Sequence, residues 1–338
     1  MLFPQLVAQR CGARPITVIA EELHAESTYH DPFWSSRPSA IPQPGEELQA
    51  GTKDSSEAAL DAHTAGACRP SRGRATDASQ SPIKYGKIVL PRTEIDGRPP
   101  EIDKLLAPAL INYGHVTVMQ VRGRSVRGLD LHLSRLDAAN RELFHEPLDP
   151  DRVRGYIRHI LADDVDATIR VTVFRDTTVS VMVTARPPAD AATRPQGLKS
   201  VVYQRPVPHI KHTGTFGQLH YGHLAVDDGF DDALLLTTFD HVAEAGIANI
   251  LCHDGTAFVW PDAPALPGIT MRLLDRAGLS ARQRTIRRTD LPSFAAVFVT
   301  NSRGISPVGR VDDIEIPVDP EITRQVLTLY DSVPWDPI

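Results

Sequence analysis

Cysteine is scarce in this chain, and the three present, Cys11, Cys68 and Cys252, stand far apart. Their spacing matches no Cys or Cys/His metal site, and an odd number so placed argues against a disulfide framework. Such usage points to a reduced, cytoplasmic protein. Long apolar runs are missing too. None approaches the roughly 20 residues that span a bilayer, so no membrane partner is expected. The N-terminus, Met1-Leu-Phe-Pro-Gln-Leu6, lacks a basic lead followed by a long apolar stretch, and no signal peptide is expected. There is no excess of basic charge either. A net charge of −6 gives no footprint for nucleic acid or an anionic membrane. Lysine is rare in the second half of the sequence, where Lys211 is the only one after Lys199.

What is present is a hydrophobic content of 41%, enough for a sizeable core in one or two domains. The distribution is uneven. Residues 1–84 hold Ser35 to Gly45 and Ala65 to Ser79, both rich in Pro, Gly, Ser and charge. Such segments bury too little apolar surface to offset the entropy of ordering. A flexible extension is expected there, with a short helix or strand near Ile16 to Leu23 at most. Order should begin near Ile88-Val-Leu90.

From there a small domain of mixed helix and strand is expected over residues 85–190. Glu94-Ile-Asp-Gly97 reads as a strand into an Asp-Gly turn, followed by a break at Pro99-Pro100. Val116, Val118 and Val121 suggest a buried strand. Leu133, Leu136 and Leu143 give the apolar face of a helix that opens near Leu129. Asp149-Pro150 is an N-cap followed by proline at the first helical position, and its helix should turn Val153, Ile157, Ile160 and Leu161 inward. Period-two runs over 168–174 and 179–183 should pair as a hairpin.

A larger, mostly β domain is expected over residues 198–338. Strands are read at 233–237, 247–253, 257–260, 282–288 and 295–300, with Asp254-Gly255 as a two-residue hairpin turn. Pro267-Gly268 precedes a helix that ends at Gly278. A last helix follows Asp319-Pro320, with Ile322, Val326, Leu329 and Tyr330 on its buried face. The fold class is α+β.

The candidate chemistry gathers around Pro208-His-Ile-Lys211-His-Thr-Gly-Thr-Phe-Gly217. Lys211 follows a β-prone run and precedes a helical pattern. Downstream lie a carboxylate, Glu244, and the helix start at Gly268, where the N–H groups of Ile269 and Thr270 attract an anion. An amine for an aldehyde, a carboxylate for a ring nitrogen and N–H groups for a phosphate are the needs of a pyridoxal phosphate enzyme.

With these motifs, in this order and spacing, the sequence resembles the class IV aminotransferases, the fold-type IV pyridoxal phosphate enzymes, from about Glu94 to about Val311. That family includes branched-chain and D-amino-acid aminotransferases and aminodeoxychorismate lyase. The resemblance implies pyridoxal 5'-phosphate as cofactor, held as a Schiff base on Lys211, and a homodimer. It implies Glu244, in Glu-x-x-x-x-Asn249, at the ring nitrogen, and Arg135, in Leu131-His-Leu-Ser-Arg-Leu136, at the phosphate. Ile269, Thr270 and Ser302 of Thr300-Asn-Ser302 are the other implied phosphate contacts. Tyr113, in Asn112-Tyr-Gly-His115, either meets substrate or cofactor or is a half-buried core tyrosine. His115, His209 and His212 are read as polar wall residues, and no metal is implied.

The implied activity is transfer of an amino group from an amino acid or amine to a keto acid. A lyase like aminodeoxychorismate lyase is the alternative, and a non-catalytic binding protein on the same fold is a third. Two departures bear on the substrate. Val118-Met119 stands where the family often has an aromatic and an acid. Thr215 and Phe216 stand where branched-chain enzymes carry Asn and a Tyr for the cofactor's ring hydroxyl. That hydroxyl therefore needs another donor, or none.

Overall fold

The computed structural model describes residues 91–338. The expected extension over residues 1–84, the element near Ile16 to Leu23 and the start of order at Ile88 to Leu90 lie outside the described residues. The first part of the described chain runs β1 (Arg92–Ile95), α1 (Ile102–Leu110), β2 (Gly114–Val121), β3 (Ser125–Val126), α2 (Leu129–Phe144), α3 (Pro150–Leu161), β4 (Ala167–Arg175) and β5 (Val179–Arg186). Asp96 and Gly97 both take positive φ, 51° and 72°, the geometry of a type I′ turn. The four long strands form an antiparallel sheet in the order β1-β5-β4-β2. Leu133, Leu136 and Phe144 of α2 and Val153, Ile157, Ile160 and Leu161 of α3 pack with Met119, Ile169 and Val171 of the sheet. Asp149 caps α3 by accepting from the N–H groups of Asp151 and Arg152, which would otherwise be unpaired. The expected break stands at Pro99-Pro100, and α1 follows it as an unexpected helix. It contains Pro108 and buries none of its residues, although Ile102, Leu105, Leu106, Ala109 and Leu110 recur at helical spacing.

The second part runs β6 (Gln196–Val202), α4 (Phe216–Asp227), β7 (Asp232–Leu236), β8 (Val242–Ala245), β9 (Asn249–His253), β10 (Phe258–Pro261), α5 (Ile269–Arg276), β11 (Ala281–Arg284), a 3-10 turn (Arg288–Ser293), β12 (Ala296–Asn301), β13 (Gly304–Val311), β14 (Ile314–Glu315), α6 (Pro320–Asp331) and β15 (Asp336–Pro337). The sheet order is β11-β10-β9-β12-β13-β6-β7-β8, and β8 pairs back on β9. Strands β9, β12, β13, β6, β7 and β8 thus close into a ring around Leu234, Leu236, Val242, Ile250, Val297 and Val308. Closure removes most of the exposed edge. The parallel pair β6 and β7 is joined by the α4 crossover, as parallel strands require.

Three expectations are corrected here. The turn after β9 has four residues rather than two, because Asp254 Oδ1 accepts from the N–H groups of both Thr256 and Ala257 and Phe258 is the first to pair. The strand expected over 282–288 stops at Arg284, and the Arg287 N–H donates to Asp290 Oδ2 at 2.9 Å to start the 3-10 turn. In α6 only Val326 is fully buried, while Ile322, Leu329 and Tyr330 are partly covered. The C-terminus returns to the first part of the chain in a separate two-stranded sheet. β15 pairs with β3, and Asp336 Oδ2 accepts from Leu129 N–H at 2.9 Å. This supplies α2 with the cap that Gly128 lacks a side chain to provide. The described residues fall in one compact unit, and their architecture is α+β as expected. No described helix is long and apolar enough to cross a membrane.

Candidate active site

Lys211 is placed by β2. After β6 the chain turns sharply at Val207, whose φ of 46° is strained for a β-branched residue. It then runs antiparallel to the start of β2. Lys211 O accepts from Val116 N–H at 2.7 Å, and Thr213 N–H donates to Gly114 O at 2.9 Å. Gly114 is needed there, because a Cβ would lie 2.5 Å from Val173 O. The lysine side chain enters a cavity of about 600 Å³ lined by residues of both sheets. Burial pushes its amine down to about 7, helped by the positive charges of Arg135 and Arg205 and opposed by Glu244.

Glu244 is 3% exposed and lies on β8, paired with Asn249 of β9. Its Oε1 accepts from Arg205 Nε at 3.0 Å and its Oε2 from Leu266 N–H at 3.3 Å. Asn249 Nδ2 donates to Leu266 O at 2.6 Å, which ties the segment before α5 to the same hairpin. Gly268 then passes so close to Asn249 that any Cβ would overlap its Oδ1. This contact sets the start of α5 at the cavity wall. Ile269 and Thr270 donate their N–H groups to no acceptor among the described residues, and the Thr270 hydroxyl donates to Asn301 O at 2.6 Å.

Arg135 projects from α2 toward that same helix start. Burial, with Arg272 and Arg205 nearby, lowers its guanidinium to about 9. It donates from Nη2 to Thr117 Oγ1, and its Nε is buried with no partner. Thr300 Oγ1 and Arg205 Nη1 are also buried and unpaired among the described residues. Buried polar groups of this kind are rare and costly without a ligand. Donors around Arg135 and α5 suit a phosphate, and a carboxylate and an amine stand elsewhere on the same wall. These residues fit pyridoxal phosphate.

The cavity lining includes the expected Arg135, Lys211, Glu244, Ile269, Thr270 and Ser302. Tyr113 is not among the lining residues: it is 55% exposed and stands edge-on to Phe144. The three histidines are corrected, since none lines the cavity. His115 is buried against Asn140 at 3.4 Å, His209 pairs with Glu142 on the surface, and His212 Nε2 contacts Pro206 O at 2.9 Å. In the strand-like run of 209–212, only Lys211 points inward to the cavity.

Sequence reasoning assigned no role to Arg205, Arg186 or Thr300, all of which line the cavity. Arg205 interrupts the otherwise apolar, proline-rich run before Lys211, which was a usable signal. Thr300 was quoted within its motif without a role. Arg170 also faces the cavity, from β4. Burial lowers its pKa, and Arg186 adds to the effect. Arg170 and Arg186 pair with no carboxylate among the described residues.

Residues 114–311 match the family model for amino-transferase class IV. No curated protein sequence matches this one. Among solved structures, 4-amino-4-deoxychorismate lyase from Pseudomonas aeruginosa aligns at 24% identity over 72% of this chain and 99% of its own, with a TM-score of 0.62. The branched-chain amino acid aminotransferase from Escherichia coli aligns at 18% identity over 65% and 84%, with a TM-score of 0.57. A hypothetical aminotransferase from Mycobacterium tuberculosis in its PLP-bound form aligns at 18% identity over 67% and 90%, with a TM-score of 0.59. At such identities the likeness carries the fold and not the substrate. The family match spans more than half of the sequence, and the chain belongs to the class IV aminotransferases, of fold-type IV, whose cofactor is pyridoxal 5'-phosphate.

Proposed function

We propose that this protein is an aminotransferase that moves an amino group from an amino acid or amine to a keto acid. The observation that carries the reading is the enclosed Lys211 amine, pushed down to about 7, in one cavity with Glu244, Arg135 and the start of α5. When bound, pyridoxal phosphate supplies an aldehyde that takes up the amino group and a ring that accepts electron density from the substrate's α-carbon. Lys211 Nζ would bind the cofactor, and once freed it would take the proton from the donor's α-carbon and deliver it to the former aldehyde carbon, for which a pKa near 7 is suited. Glu244, held by Arg205 Nε and Leu266 N–H, keeps a proton on the ring nitrogen. Arg135, Ile269, Thr270 and Ser302 hold the phosphate. Arg205, with its unpaired Nη1, is the donor for the ring hydroxyl that Thr215 and Phe216 leave open.

The unpaired Arg170 and Arg186 favour a substrate with a second carboxylate. A dicarboxylic keto acid fits the transfer reading. A lyase acting on a dicarboxylate like aminodeoxychorismate is the second reading, and the same two arginines support it. Incubating the purified protein and pyridoxal phosphate with L- and D-amino acids separates them. Transfer predicts amino acid formed in proportion to added keto acid, with ping-pong kinetics. Release of pyruvate from aminodeoxychorismate with no acceptor present would replace transfer by elimination. Cysteine usage is consistent with a cytoplasmic location.

The protein acts as a homodimer in this reading. Around α1, Ile102, Leu110 and Ile111 are 79%, 77% and 65% exposed, and Phe216 at the start of α4 is 77% exposed. Thr213 joins these two helix ends, its hydroxyl donating to Asn112 O at 2.9 Å. Apolar side chains grouped this way mark an interface. Light scattering is expected to give twice the chain mass, and Phe216→Asp combined with Ile102→Asp to shift it toward the single chain. A wild type that runs as a monomer at micromolar concentration would remove the dimer from this account.

A further inference from the structure

Arg135 is held from behind by two residues that do not reach the cavity. Thr117 lies on β2, fully buried, between Val116 and Val118, which do line the cavity. Its hydroxyl oxygen accepts from Arg135 Nη2 and lies 2.7 Å from Nδ1 of His132. His132 precedes Arg135 by three residues on α2 and shares its face. A guanidinium only donates, so the Thr117 oxygen accepts from Arg135, and the same hydroxyl is hydrogen-bonded to His132 Nδ1. Burial and the neighbouring charges of Arg135 and Lys211 hold His132 well below its ordinary pKa, which agrees with a neutral ring.

We propose that Thr117 and His132 are positioning residues for the cofactor phosphate, a hydrogen-bond chain from Arg135 through Thr117 to His132 that fixes the guanidinium. The inference rests on the proposed role of Arg135. With Nη2 committed to Thr117, the long side chain loses its freedom to turn away from the cavity that it lines. Such pre-organisation raises affinity by lowering the entropy lost on binding. Loss of the Thr117 hydroxyl would also leave one more Arg135 donor buried and unpaired.

The test compares cofactor binding with and without the phosphate. Dissociation constants for pyridoxal phosphate and for pyridoxal are measured by absorbance on the apo forms of wild type, Thr117→Val and Thr117→Ser. Thr117→Val is expected to weaken pyridoxal phosphate about 10- to 100-fold, as loss of a hydrogen bond to a charged group does. Pyridoxal binding should change by less than about twofold, and Thr117→Ser should restore the phosphate effect. Equal weakening of both ligands, or of neither, overturns the proposal and leaves the Lys211 reading intact. Should Thr117→Val fail to fold, His132→Leu against His132→Asn carries the same test. Asn retains a hydrogen-bonding group near the Nδ1 position and should keep phosphate selectivity, whereas Leu should lose it; equal behaviour of the two overturns the proposal. A wild type that binds neither compound would overturn the parent reading as well.

Discussion

Lys211→Ala is expected to abolish transfer, lowering kcat/KM by at least about a thousandfold, within the range that positioned acid–base groups contribute. Borohydride treatment should join pyridoxal phosphate covalently to the wild type and not to the variant. Peptide mass mapping should place the adduct at Lys211. The depressed amine adds a pH signature. A neutral amine is the form that attacks an aldehyde. With its pKa near 7, about half of the Lys211 amine is ready at pH 7, against roughly 0.04% for an ordinary lysine near 10.4. The rate of cofactor capture by the apo protein should therefore rise through pH 7 and level off above about 8. A rate still climbing toward pH 10 would show that the lysine is not enclosed as described, and a covalent adduct on Lys199 instead would refute the assignment outright.

Arg135→Met should have opposite effects on the apo and loaded protein. The guanidinium is buried with no carboxylate partner among the described residues, and its Nε is unpaired. Replacing such a group by an apolar side chain of similar length removes an uncompensated charge, so the apo variant should melt at a higher temperature than apo wild type. Cofactor affinity should fall, because the phosphate loses a buried, hydrogen-bonded countercharge. Truncating one partner of such a pair costs about 2–5 kcal/mol, or roughly 30- to several-thousand-fold in Kd. The stabilisation conferred by saturating pyridoxal phosphate should shrink accordingly. Arg135 also depresses the Lys211 amine, so the capture profile of the variant should move to higher pH. An apo variant less stable than wild type, with unchanged cofactor affinity, would place Arg135 in the scaffold instead of the phosphate site.

Much of the scaffold is legible in the residues. The Asp149-Pro150 cap, the four inward positions of α3 and the hairpin of β4 and β5 follow from local rules, since a cap bond and a period of two or 3.6 involve near neighbours. The same holds for the Pro267-Gly268 break before α5. α1 escapes notice because it is short and Pro108 argues against a helix, even though Ile102, Leu105, Leu106, Ala109 and Leu110 recur at helical spacing. Likewise Tyr113 shares a motif with Gly114 but turns away to Phe144, because the pleat sends successive side chains to opposite faces.

By itself the sequence determined the α+β class and the family, and it singled out the residues proposed here to hold the cofactor: Lys211, Glu244, Arg135 and the helix start at Gly268. These depend on residue identity and on spacing along the chain. Only the tertiary structure decided that Arg205 clamps Glu244, that Arg170 and Arg186 line the cavity with no carboxylate partner among the described residues, and that Thr117 and His132 stand behind Arg135. Each of those contacts joins segments far apart in sequence, with Arg205 and Glu244 39 positions apart and Thr117 and Arg135 18 apart. Whether a charge is paired depends on which strands the sheets bring side by side. The depressed amine of Lys211 is the same kind of fact, since desolvation belongs to the cavity and not to the residue.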